Sequence, residues 1–363
     1  MSHGDAQPNV FCTVVTLSHI KSAYALWNSI SECNQTAHLY VLVVDILSSD
    51  LDGEARDEFP FQVVAVDELH DQDTVMQMGF YYTPFELCNA LKAWLHRYLF
   101  ERTSHQKWIY LDSDIFVTNS FDPVWSLLDR ATILLTPHRL SPFDLIDEKR
   151  LLDLGAYNGG FLAMRKCLET SCFVDWFCER LRLACFSHWN GLFVDQKWLD
   201  LVPSLFHSSQ ILFNPGLNVA YWNLDERPIE LSNGIFSVNG EKLLFFHFSG
   251  WSLTNPEVVS RYHQRTFASY GDGCDTIRKR YLACVNSASA KCVLSNVDIK
   301  TYSNGAAISQ SDRRAYFFAS EEEKCKIGCP RENRLLVINL KMRLRFASFI
   351  GKVRHRLFGN GLS

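Results

Sequence analysis

Apolar runs rich in β-branched residues alternate with helical text along much of this chain, and the alternation leaves few folds open. Residues 10–17, 39–45 and 61–66 lack the polar alternation of a half-exposed strand, so each reads as a strand buried on both faces. Residues 23–30 read as a helix between the first two. Residues 85–95 form a second helix, which feeds a strand at 107–111. Two more strands are expected at 131–138 and 161–164, a turn at 214–218, and a helix at 195–206. Buried strands alternating with helices predict an α/β, Rossmann-like fold with a mostly parallel sheet flanked by helices. Such sheets collect ligands at the carboxyl ends of their strands, where Thr16 to His19, Asp112 and Asp114 all fall.

The segment Tyr110-Leu111-Asp112-Ser113-Asp114-Ile115-Phe116-Val117 sets two carboxylates one residue apart between apolar runs. Asp-x-Asp is a short pattern that also marks ordinary solvated turns. At a strand end, however, the spacing presents two hard oxygen ligands together, which suits a divalent ion carrying a diphosphate.

Downstream follow Tyr157-Asn158-Gly159-Gly160-Phe161, then Asp195-Gln196, then Phe245-Phe246-His247-Phe248-Ser249-Gly250. In this order and spacing, over roughly residues 10 to 255, the chain resembles the retaining, metal-dependent nucleotide-sugar glycosyltransferases of the GT-A fold, family 8 in particular. Glycogenin and bacterial lipopolysaccharide glycosyltransferases are distant examples. The resemblance implies a sugar transfer from a nucleoside diphosphate sugar, UDP-linked, to a glycan, glycolipid or protein acceptor. It implies Asp112, Asp114 and His247 as metal ligands, and a Lys92 that reaches the donor phosphates. It further implies donor contacts from Thr16, Ser18, Ser113, Gly159, Gly160 and Gly250, with Asn158, Asp195 and Gln196 around the reaction centre. An imidazole among carboxylates favours Mn²⁺ over Mg²⁺, which prefers all-oxygen shells.

Each of these residues has a plainer reading. His247 fits a core histidine satisfied by backbone, Lys92 an exposed helix cation, and Asn158 with its glycines a tight turn. Asp195 suits a helix N-cap. The chain also departs from the family: Gly250 is followed by Trp251-Ser252-Leu253-Thr254 with no phosphate-binding lysine, and Arg227 or Lys242 are the candidate replacements. Two other functions stay open. Haloacid-dehalogenase phosphohydrolases also carry Asp-x-Asp after a strand, but near the chain start and with Thr or Val where Phe116 stands here. A catalytically silent sugar-nucleotide-binding scaffold is the other.

A chain of 363 residues that is 47% hydrophobic can bury a large core. The expected division is a catalytic domain over 1–255, a helical accessory region over 256–330 and a basic amphipathic tail over 331–363. A net charge of −4 gives no nucleic-acid signature. The tail nevertheless carries eight Lys or Arg against Glu332 alone, hence +7 against −11 elsewhere. Its Leu335, Ile338, Met342, Phe346, Phe349, Val353 and Leu357 make an apolar stripe. That suits a helix lying on an anionic membrane, or equally one packed on the parent domain. The short polar start and the lack of a membrane-length apolar span predict a cytosolic protein, peripheral at the inner face of a membrane if the tail binds lipid. Twelve cysteines at irregular spacing predict reduced thiols. Cys167, Cys172, Cys178 and Cys185 fall on one apparent helix, and Cys325 and Cys329 lack the second pair of a zinc knuckle.

Overall fold

The computed structural model describes residues 9–34, 36–51, 53–288 and 297–345. These fall into two compact units. One draws on Met1–His70 and Cys88–Asn296, the other on Asp71–Leu87 and Val297–Ser363.

The first unit is built on a seven-stranded sheet. Its strands are β1 (Asn9–Val15), β2 (Ala37–Val43), β3 (Gln62–Ala65), β4 (Lys107–Leu111), β6 (Ile133–Pro137), β7 (Tyr157–Arg165) and Ser209–Ile211, while β5 (Ile115–Val117) belongs to a smaller sheet. The order is Ser209–Ile211, β6, β7, β4, β1, β2, β3. Only β7 runs against the rest, pairing antiparallel with both β4 and β6. The sheet is thus mostly parallel, as the continuous apolar runs require. Val41, Leu42 and Val43 on successive positions of β2 are all inaccessible to solvent, so both faces of the sheet are covered. In the helix Ile20–Cys33, Ile20, Ala23, Leu26 and Ile30 are buried at spacings of three and four.

The smaller sheet positions the site. β5 pairs antiparallel with Phe245–His247, in a register that sets His247 opposite Ile115 and therefore beside the end of the Asp112–Asp114 loop. The Phe248 N–H donates to the Asp114 carbonyl at 2.8 Å, which closes the join.

Two elements differ from expectation. Asn158, Gly159 and Gly160 lie within β7 and form no turn, so this strand starts four residues earlier than its apolar text suggests. The helix expected at 195–206 is a 3-10 helix, Gln196–Leu201, followed by a short α-helix, Val202–Leu205. Pro203 has no N–H to continue an i→i−4 ladder, so the helix has to be restarted there.

In the second unit, the helix Gln72–Tyr81 packs on the helix Gln310–Phe317. The buried Arg313 guanidinium donates to the carbonyls of Phe80, Tyr82 and Ile299. Residues 334–345 are helical, with Val337 and Leu340 fully buried. The remaining tail residues, including Phe346, Phe349, Val353, Leu357, Lys352, Arg354 and Arg356, lie outside the described residues, as does the polar start at 1–8. The described cysteines are free thiols, and Cys167 and Cys185 flank the helix Leu168–Ala184. Among the described residues no helix is long and apolar enough to cross a membrane.

Candidate active site

Asp112 follows β4, and its N–H donates to the carbonyl of Gly160 on β7 at 2.9 Å. The Tyr110 hydroxyl, buried beneath, donates to Asp112 Oδ1 at 2.6 Å and fixes that carboxylate. Asp112, Asp114 and His247 each offer a ligand atom within 4.8 Å of the others. His247 Nε2 faces Asp114 Oδ1 at 3.1 Å and Asp112 Oδ2 at 3.9 Å, and its Nδ1 is buried with no hydrogen-bond partner among the described residues. Burial opposes a charge on either group, but each sustains the other. Asp114, and then Asp112, raise the His247 pKa, while His247 holds the Asp114 carboxyl below its usual value.

Gly160 makes room for this cluster. A Cβ there would come within 2.6 Å of His247 Cε1, 2.7 Å of Asn158 Oδ1 and 2.9 Å of Asp112 Oδ2, all closer than real contacts allow. A Cβ on Gly159 would meet Asp195 Oδ2 at 2.7 Å. The glycines are needed for close approach within an extended strand. Two carboxylates and one imidazole converging on a site cleared of side chains fit a divalent cation, with Mn²⁺ suited to the mixed oxygen and nitrogen donors.

Lys92 projects from the helix Pro84–Arg102 into the floor of the site. Its ammonium lies 3.0 Å from Gly159 O, 3.1 Å from Asp195 Oδ2 and 3.1 Å from Asp112 Oδ1, so its three protons have three acceptors. It is almost fully buried. Burial works against its charge, but the two carboxylates raise its pKa above the ordinary lysine value. Asp195 stands at the N-cap of the 3-10 helix, yet its side chain makes no cap hydrogen bond and turns to Lys92. Burial pushes the Asp195 carboxyl up to about 6, with Lys92 opposing.

Gln196 and Asn158 complete the floor. Gln196 Oε1 accepts from the Gly159 N–H at 3.2 Å, and its Nε2 donates to Leu154 O at 2.9 Å. Asn158 Oδ1 accepts from the Gly160 N–H at 2.8 Å, and its Nδ2 lies 3.2 Å from His138 Nε2. His138 Nδ1 lies 3.1 Å from the Ala156 carbonyl, and burial pulls the ring pKa down to about 4. A neutral His138 protonated on Nδ1 satisfies both contacts. The Trp222 indole stands edge-on between the two histidines, 5.2 Å from His138 and 5.3 Å from His247.

Thr16 and Ser18 lie apart from this floor, at the end of β1, where their hydroxyls are 2.9 Å from each other. There the Leu17 N–H donates to Asp45 Oδ1 at 2.7 Å. β1 and β4 pair in parallel, so the loops that follow them, with Thr16 and Ser18 on one and Asp112 on the other, leave the same end of the sheet. Ser113, half-buried, occupies the loop between the two aspartates. Gly250 has φ +69°, and Ser260 and the Tyr262 ring fill the space a Cβ would need. Arg227 is buried against Leu217 O and Glu226, and Lys242 is exposed on the strand Glu241–Lys242. Sequence reasoning passed over Tyr110, His138, Trp222 and Asp45 as site residues. His138 and Asp45 carried one signal, their places at the ends of apolar runs.

No family model matches the chain. It is 24% identical over 268 residues to the uncharacterized protein YfnF of Bacillus subtilis (strain 168), covering 71% of this chain and 86% of YfnF. To the uncharacterized protein YfnD of the same strain it is 25% identical over 260 residues, covering 67% and 78%. Similar solved structures include the galactosyltransferase LgtC in complex with donor and acceptor sugar analogs, with 13% identity, 78% and 97% coverage and a TM-score of 0.46. The apo-form glycosyltransferase GlyE of Streptococcus pneumoniae TIGR4 gives 15%, 82%, 67% and 0.45.

Proposed function

We propose that this chain is a metal-dependent glycosyltransferase of GT-A type that moves a sugar from a UDP-linked donor to a glycan, glycolipid or protein acceptor, with retention at the anomeric carbon. The observation that carries the reading is the convergence of Asp112, Asp114 and His247 over Gly160, next to the buried Lys92–Asp195 pair. A divalent cation held there supplies Lewis-acid neutralisation of the charge that develops on a departing diphosphate. Tyr110 and Lys92 orient Asp112 from below. Thr16, Ser18 and Ser113 border the side where the nucleotide would lie, with the glycine-lined floor beneath the diphosphate and sugar. Asp195 meets the transferred sugar, holding its hydroxyls or facing positive charge as the leaving group departs, while Asn158 and Gln196 keep the floor rigid.

The test is a panel of nucleoside diphosphate sugars, assayed with Mn²⁺ for binding and slow hydrolysis. Chelation should abolish turnover. Asp112→Asn and Asp114→Asn should each lower it by more than about 100-fold, and His247→Ala should weaken Mn²⁺ binding. Retained turnover in either aspartate variant removes the metal-diphosphate role of that carboxylate. Trapping of an aspartyl-phosphate would replace the reading with a phosphohydrolase, and an inverted anomer in the product would overturn retention.

A further inference from the structure

Aromatic rings continue outward from the metal-ligand cluster. Trp222 stands against His247, Tyr221 lies 5.1 Å from Trp222, and Tyr262 lies 5.9 Å from Tyr221. Tyr262 is 59% exposed, so this run of rings leads from the buried His247 to solvent. It is nevertheless fixed. Its ring edge fills the space beside the Gly250 Cα, the Arg261 N–H donates to Gly250 O at 2.9 Å, and Arg261 Nη2 donates to the Tyr262 hydroxyl at 2.8 Å. A ring already held in place loses little conformational entropy when a ligand covers it.

The charge along these rings is one-sided. Asp147 is paired with Arg150 at 2.7 Å, and Asp225 is gripped by both terminal nitrogens of Arg139. Among the described residues neither Arg261 nor Arg265 pairs with a carboxylate; Arg261 lies over the Tyr262 ring and Arg265 over that of Tyr270, which stands 6.3 Å from His263, itself 6.4 Å from Tyr221. The unneutralised charge here is therefore positive.

We propose that Trp222, Tyr221 and Tyr262, edged by Arg261 and Arg265, form the acceptor platform and that the acceptor is an anionic saccharide. The C–H faces of pyranose rings pack on tyrosine and tryptophan, whose polar edges serve the hydroxyls, and guanidinium forks match carboxylate or phosphate substituents. This inference deepens the glycosyl-transfer reading and rests on it for which end of the platform meets the donor. Its ligand chemistry can be tested without turnover.

The test uses the full chain titrated with trigalacturonic acid, phosphorylated maltotriose and neutral maltotriose. At least one acidic probe should bind about tenfold more tightly than maltotriose, and the two acidic arms separate carboxylate from phosphate. Tyr262→Ala and Arg261→Ala should each weaken acidic binding by about tenfold, whereas Tyr262→Phe, which keeps the ring, should retain most of it. Acidic probes no tighter than maltotriose, or unchanged binding in a folded Tyr262→Ala chain, overturn the proposal. UDP with Mn²⁺ is titrated onto the parent in parallel. If UDP fails to bind while saccharide binding still depends on Tyr262, the donor reading falls and the platform stands.

Discussion

Asp195 is a carboxylate that burial has displaced from its ordinary range, and the sign of that displacement has a measurable consequence. Its pKa rises from 3.8 to about 6. A carboxyl with a native pKa above its unfolded value holds its proton more tightly when folded. It therefore adds stability that is complete below the unfolded pKa and lost as pH rises through the folded one. In chelator, Asp195→Asn has no such proton to release. Relative to the parent it should gain stability on the order of 2–3 kcal/mol between about pH 4 and pH 7, measured by denaturant unfolding. A difference independent of pH across that window would mean that Asp195 titrates normally. Lys92 does not blur the measurement, because Asp112 stays beside it in both proteins and favours its charge.

The strand β7 is the element on which the site depends most, because the Asp112, Asp114 and His247 cluster leans on the side of it that carries Gly160. Gly160→Ala would drive a Cβ into His247, Asn158 and Asp112 at once, and none of these is the free end of a flexible side chain. Misplacements of about 1 Å at such a site cost on the order of 100-fold in rate. The variant should therefore lose donor turnover by at least about that factor and bind Mn²⁺ weakly, with its far-ultraviolet circular dichroism intact. Normal Mn²⁺ affinity would show that the cluster has slack. The same strand shows what sequence can and cannot display. The buried strands were legible because apolar runs report burial on both faces. The glycine pair signalled close approach, with a tight turn as its plainer reading, but local text does not reveal which side chains from distant segments cross a strand. His247 and Asp114 meet through a pairing register between segments about 130 residues apart, which only the resemblance pointed to. Trp222 had no local signal at all. Its place follows from Arg139, which grips the Trp222 carbonyl and Asp225. Pro203 was visible, and its missing N–H was the available warning that one long helix would not form.

At the scale of the whole chain, the basic tail divides the possibilities most sharply. Part of it belongs to the second unit. Val337 and Leu340 are in its core, Lys341 pairs with Asp312, and Arg343 lies 3.2 Å from Glu323. Truncation before Arg331 would remove core residues and could not separate binding from folding. The other face of residues 334–345 is apolar and open, with Leu335 and Met342 exposed and Ile338 half-buried. We propose that this face enters an anionic membrane surface, with Arg334 and Arg345, which pair with no carboxylate among the described residues, supplying attraction on the order of 1 kcal/mol each. The double substitution Leu335→Glu with Met342→Glu places two carboxylates where lipid contact is expected and leaves Val337 and Leu340 untouched. Sedimentation with phosphatidylserine-containing vesicles should fall by at least about tenfold, since burying one such side chain is worth roughly 1.5–3 kcal/mol. Binding by the parent should weaken as salt rises from about 0.1 M to 0.5 M, because screening shortens the reach of each cation. Donor hydrolysis in solution should be equal in the two proteins. If the double variant sediments as well as the parent and is equally stable, residues 334–345 are a structural helix of the second unit and membrane attachment does not run through them.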